Sequence, residues 1–262
     1  DSRQASQLAQ KLGHINAERQ DMTRQFVEQA RSRILEDREL APLYLIADPR
    51  FNEGVVGLVA SRLTDEFYRP TLVARRGTRI TKGSGRSIPE FDITRALDQC
   101  ADLLVRYGGH AAAAGFTIET DNLPRLQARL TEIAHRALDD QPLQKTMLVD
   151  AEINLRGVTP QLVTEVHNLA PFGYNNPTPK FLTRGLVVQY CRPVGRDGSH
   201  LKMKLSDGKR LWDAIGFRMA AQWGGLAQGA RVDAVYNLEF NTWNGRTAMQ
   251  LNLKDLRLSE AS

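Results

Sequence analysis

Between residues 2 and 36 the chain has no proline and one glycine, and Leu8, Leu12, Ile15, Met22, Phe26, Ala30 and Ile34 recur three, four or seven positions apart. That is the period of an amphipathic helix, about 50 Å long at 1.5 Å per residue. A compact small domain does not need such a length. Residues 1–40 are therefore expected to form a connecting helix, and its opening in mid-pattern suggests a native chain that begins before Asp1.

Beyond it the pattern alternates. Apolar runs at 43–47, 71–75 and 116–119 read as strands, and 54–67, 93–105 and 123–138 read as helices. Alternation of this kind predicts a layered α/β domain over 41–140. The polar stretch 139–145, which holds Pro142, is the expected boundary. From 146 to 262 short runs at 148–153, 182–190, 201–205, 211–217, 232–240 and 249–256 are separated by Gly, Asn and Asp turns. They predict a β-rich, OB-like barrel with a helical insertion at 159–168.

Composition narrows the class. Hydrophobic residues are 42% and charged residues 25%, the balance of a folded globular chain. No apolar run approaches the roughly 20 residues that span a bilayer, and the polar start is unlike a signal peptide, so a cytoplasmic location is the default. Cys100 and Cys191 are far apart and have no metal-ligand spacing around them, which leaves two buried thiols as the expectation. A net charge of +5 favours a polyanionic partner without requiring one.

Two segments carry candidate chemistry. In Lys82-Gly83-Ser84-Gly85-Arg86-Ser87 the glycines would let backbone N–H groups approach an anion on which a hydroxyl and a guanidinium converge. The alternative is a flexible basic hairpin turn. In Gly108-Gly109-His110-Ala111-Ala112-Ala113-Ala114-Gly115, small residues after a predicted helix would admit a ligand backbone beside one imidazole. The alternative there is a tight turn whose histidine is satisfied locally.

Taken in order, Gly54-Val55-Val56-Gly57-Leu58 with Arg69-Pro70, then Gly83-Ser84-Gly85-Arg86-Ser87, then Gly108-Gly109-His110 with Ala113-Ala114-Gly115 resemble the DHH-associated domain of the RecJ exonucleases. Leu169-Ala170-Pro171-Phe172-Gly173-Tyr174-Asn175-Asn176-Pro177 resembles the opening of that family's OB-type domain, and Gln250-Leu251 with Lys254-Asp255 its last strand. The resemblance implies a 5′-to-3′ single-stranded-DNA exonuclease of DNA repair and recombination. It implies Mn2+ or Mg2+ held by an Asp-His-His domain, and single-strand-binding protein and a RecQ-type helicase as partners. No Asp-His-His sequence occurs here, so no catalytic residue, metal ligand or bound cofactor is assigned to this chain. By resemblance Ser84 and Arg86 hold the 5′-terminal phosphate, and Gly108, Gly109 and His110 face the substrate. Asn52 stands in Phe51-Asn52 where the family pattern has Trp-His; it can hydrogen-bond a substrate but cannot titrate near neutral pH.

In the barrel, a basic path with aromatic platforms is what single strands require. Lys202, Lys204, Lys209, Arg210, Arg246 and Lys254 supply candidate charge, and Tyr174, Trp212 and Trp243 candidate stacking. Trp212 fits the core equally well, whereas Trp243 in Asn241-Thr242-Trp243-Asn244-Gly245 is expected at a hairpin turn. Two other functions compete: a free-standing single-strand-DNA-binding or adaptor module without catalysis, and a DHH-family phosphoesterase acting on short oligonucleotides, against which the OB-like extension argues.

Overall fold

The computed structural model describes residues 2–36, 40–139 and 143–260, with Trp243 described by its backbone alone. Asp140 and Pro142 of the expected boundary lie outside them. The chain divides into two compact units, Asp1–Lys145 and Thr146–Ser262.

The first unit begins with helix α1 (Ser2–Glu36). Only its last turns are covered: Thr23, Ala30 and Ile34 are buried and Phe26 meets Phe51 at 5.1 Å between ring centroids, while Leu8, Leu12 and Ile15 stay exposed. Strand β1 (Tyr44–Asp48), helix α2 (Val56–Phe67) and the parallel strand β2 (Thr71–Arg75) follow. Tyr68 ends α2 in the left-handed region, at φ 50°. Strand β3 (Ile80–Arg86), helix α3 (Ile93–Asp98), strands β4 (Leu104–His110) and β5 (Ala113–Glu119) and helix α4 (Leu123–Leu138) complete the unit. The sheet order is β1-β2-β3-β5-β4. α1 and α2 pack on one face around Tyr44, Ile46, Val59 and Leu63, and α3 and α4 on the other around Leu72, Leu97, Phe116 and Ile118.

Two expectations fail here. Lys82 to Arg86 form no turn: they are a central strand whose amides are engaged by β2 and β5, so backbone N–H groups are not available to cradle an anion. The helix expected over 93–105 stops at Asp98, where the Asp92 cap has begun it by accepting from Thr94 and Arg95 N–H, each at 3.0 Å. Apolar spacing at Ile93, Leu97 and Leu104 mimics a helix, but residues 104–110 gain a ladder with β5, broken by one register shift between Leu104 and Arg106. That non-local pairing outweighs local propensity.

The second unit is a closed five-stranded barrel: β7 (Phe181–Val194), β8 (His200–Ser206), β9 (Leu211–Gly216), β10 (Arg231–Trp243) and β11 (Arg246–Leu258). Strands run β10-β11-β9-β8-β7, with β7 pairing back to β10 and β9 parallel to β11, as in an OB fold. A two-residue strand β6 (Ala151–Glu152) replaces the run expected over 148–153; its pairing with β7 covers only those residues and Leu148 is exposed. Helix α5 (Pro160–His167), capped by Thr159, inserts Val163 and Val166 under the barrel, and α6 (Ala220–Trp223) lies between β9 and β10. Cys100 is buried and Cys191 half-buried, both as free thiols.

Candidate nucleic-acid interface

The register of β3, β5 and β4 sorts residues into rows. Arg86 pairs with Ala113 and Ala113 with His110; Ser84 with Gly115 and Gly115 with Gly108; Lys82 with Thr117 and Thr117 with Arg106. Opposed residues share a face, and alternate residues along a strand return to it. All nine positions therefore lie on one side of the sheet. α2 crosses part of that side, bringing Gly57 of its first turn over Ser84 and Arg86. A β-carbon at Gly57 would lie 3.1 Å from Arg86 Nη2 and 3.6 Å from Ser84 Oγ. Hydroxyl, guanidinium and the positive end of a 12-residue helix thus converge with no side chain between them.

The glycines divide into two kinds. At Gly108 a β-carbon would meet nothing within 4 Å, and at Gly115 only a carbonyl oxygen at 3.9 Å, so both leave the open face bare. At Gly83 it would lie 2.5 Å from two ring atoms of Phe116, and at Gly85 2.4 Å from Ile93 Cδ1. These two make room for the core, not for a ligand. Gly109 is likewise structural: a β-carbon there would fall 2.2 Å from the Ala113 carbonyl oxygen of its own hairpin. His110 is exposed at the end of its row, and its carbonyl accepts from Thr94 Oγ1 at 2.9 Å.

Ser84 and the bare glycines open into a groove of about 540 Å³ that Lys82, Arg106 and Glu53 also line. Arg75 at 3.1 Å and Lys82 at 3.4 Å hold the Glu53 carboxyl below its ordinary range. Asn52 is exposed and accepts from the Gly54 N–H at 2.8 Å, shaping the approach to α2. That approach is anchored by buried Asp48, which takes Arg50 N–H at 2.8 Å, Arg50 Nη2 at 2.8 Å and an ion pair from Arg33. The Arg50 hydrogen bonds outweigh burial and keep its carboxyl far below the usual range. Arg106 escaped sequence reasoning because residues 93–105 read as helix, which hid its strand register.

In the barrel, Lys202 and Lys204 project outward from β8 and share Asp213 at 3.7 and 3.8 Å. Their β7 partners are Arg192 and Tyr190, with the Arg192 guanidinium 5.7 Å from the Tyr190 ring. Neither was singled out from sequence, since the strand extends to Val194, past its expected end at 190. Trp212 is core, 2% exposed, and Arg210 caps its ring at 4.6 Å. Lys209 is exposed in the turn after β8, and Lys254 on β11 donates to Asn252 at 3.1 Å. Arg246 is exposed where β11 leaves the β10 hairpin, and the side chain of Trp243 lies outside the described residues. Tyr174 is fully exposed on a loop that Asn176 braces by donating to the Leu169 and Pro171 carbonyls, both at 3.0 Å.

Fold and site define the class: an α/β domain with an open, anion-ready sheet face, joined in sequence to an OB barrel. The family model described as the DHHA1 domain matches residues 41–136, and that described as the RecJ OB domain matches 149–255. The single-stranded-DNA-specific exonuclease RecJ of Bacillus subtilis is 34% identical over 99% of this chain and 33% of its own length. That of Thermus thermophilus is 34% identical over 100% of this chain and 36% of its own length. The crystal structure of RecJ in complex with Mg2+ from Thermus thermophilus superposes with a TM-score of 0.80 and 30% identity, covering all of this chain and 39% of that one. The chain matches the C-terminal portion of RecJ. It spans about a third of the length of the curated relatives it matches.

Among the described residues no group of three His, Cys, Asp or Glu could hold a metal ion, and the acid of the groove, Glu53, is spent on Arg75 and Lys82. No described helix is long and apolar enough to cross a membrane.

Proposed function

We propose that this chain is the strand-gripping part of a 5′-to-3′ single-stranded-DNA exonuclease of DNA repair and recombination, with Ser84 and Arg86 receiving the 5′-terminal phosphate and the barrel receiving the strand that follows. The observation that carries this is the convergence of the Ser84 hydroxyl, the Arg86 guanidinium and the α2 N-terminus at Gly57 on an open sheet face. A terminal dianionic phosphate gains more from such donors than an internal diester does. Outward Lys202 and Lys204 beside Tyr190, with Arg210, Arg246, Tyr174 and Trp243, give the barrel the basic and aromatic make-up that single strands need. Gly108 supplies floor, and Asn52 and His110 flank the grip.

The reaction itself requires metal ions that these residues do not fit, so the chain alone is expected to bind DNA without hydrolysing it. The resemblance to RecJ supports single-strand-binding protein and a RecQ-type helicase as partners. In the full-length protein, Arg86→Ala should lower activity on 5′-phosphorylated ends by about tenfold or more. Activity on 5′-hydroxyl ends should fall much less. Equal losses on both ends would reduce Arg86 to a support of the fold.

A further inference from the structure

The groove beside Ser84 does not run toward His110. It runs the other way, along the bare floor of Gly115 and Gly108 to Lys82 and Arg106. These two basic residues occupy the ends of one row, on β3 and β4, with Thr117 of β5 between them. The row of Ser84 is two residues away along each strand, roughly 7 Å, which is on the scale of one extended nucleotide. Lys82 and Arg106 are themselves separated by two strand spacings, roughly 10 Å, a gap that two long side chains close over a phosphate resting on Thr117. Both are exposed, and Lys82 is steadied by Glu53 at 3.4 Å. Arg75 balances that carboxylate at 3.1 Å, so the row keeps a net positive charge.

We propose that Lys82 and Arg106 form a second phosphate subsite, which takes the first internucleotide phosphodiester of the single strand whose 5′-phosphate sits at Ser84 and Arg86. This rests on the end-grip reading given above. The subsite makes the groove a two-phosphate gauge: the chain end is held at one row and the strand direction is set by the next, with the glycine floor admitting the sugar between them. Recognition is of charge and spacing, so it is indifferent to base.

The test uses the 262-residue chain and short 5′-phosphorylated oligothymidylates in which one linkage is a neutral methylphosphonate, with binding read by fluorescence anisotropy. Neutralising the first linkage should weaken binding by about tenfold, the loss expected for one charge-assisted contact at an open site. In the Lys82→Gln/Arg106→Gln protein the same substitution should change affinity by less than about twofold, a non-additivity that marks direct coupling. Arg125→Gln/Arg136→Gln, an equal loss of two charges at exposed positions of α4, should keep the wild-type response. Thermal melting establishes that the variants are folded, as expected for exposed positions. A tenfold response retained in the double variant, or none in the wild type, would overturn the subsite. The end grip is read separately by comparing 5′-phosphate with 5′-hydroxyl strands. Loss of that discrimination with the linkage coupling intact would refute the end grip alone, and failure to bind either strand would refute both.

Discussion

Replacing Gly83 with Ala tests whether this glycine serves the core or a ligand. It sits directly opposite Phe116 in the β3–β5 ladder, and the aromatic ring lies against its bare α-carbon. A methyl group there would stand 2.5 Å from two ring atoms and 2.8 Å from Ala74 Cβ, about 1 Å inside ordinary contact. Phe116 is 4% exposed and locked among α3 and α4 side chains, so the ring cannot swing into solvent. Overpacking of this kind costs about 1–3 kcal/mol, and restricting the unfolded chain returns about 0.4–1 kcal/mol. The net destabilisation is then about 1–2 kcal/mol, or a fall in Tm of about 3–10 °C for a unit of this size. Gly108→Ala is the counterpart. Its new methyl meets nothing within 4 Å, so stability should hold, while the raised groove floor should weaken binding of 5′-phosphorylated single strands by about three- to tenfold. Urea denaturation and anisotropy on the same two preparations separate the effects. Wild-type stability in Gly83→Ala, or weakened DNA binding in the folded protein, would refute the assignment of Gly83 to packing.

Asp48→Asn should cost about 1–3 kcal/mol, because the carboxylate is buried while Arg33 and Arg50 can return to solvent. The Arg50 hydrogen bonds hold its carboxyl below the ordinary range in the folded state, so its stabilisation is complete above the unfolded carboxylate value of about 3.9 and is lost as pH falls below it. Denaturation between neutral pH and pH 3 should therefore show a steeper acid decline in the wild type than in Asp48→Asn, and parallel declines would count against the ion-pair assignment. Tyr174→Ala should leave Tm unchanged, since the ring makes no buried contact, yet weaken single-strand binding by about 1–3 kcal/mol if a base stacks there. An unaltered titration would remove Tyr174 from the interface.

The long helix, the barrel strands and the insertion at 160–167 were legible because each rests on a local repeat: apolar residues at helical spacing in α1 and α5, and strict alternation in β8 and β9. The ordered motifs around Gly57, Ser84, Arg86 and His110 carry the resemblance to the RecJ family by themselves. What the residues could not declare was their neighbours. Gly83, Ser84 and Gly85 form one run in sequence, yet alternation in a strand sends Ser84 to the open groove and both glycines into the core. Which side is open depends on where α2, α3 and α4 lie. The helical apolar spacing of residues 93–105 hid the strand at 104–110, which forms because β5 offers it a ladder. Arg106 enters the groove by that same pairing. Local periodicity therefore determined the kinds of element and the ordered motifs the resemblance, whereas contacts between residues distant in the chain decided which glycines pack, which basic residues share a face and where Trp212 is buried, because burial and ladder pairing are properties of neighbours in space.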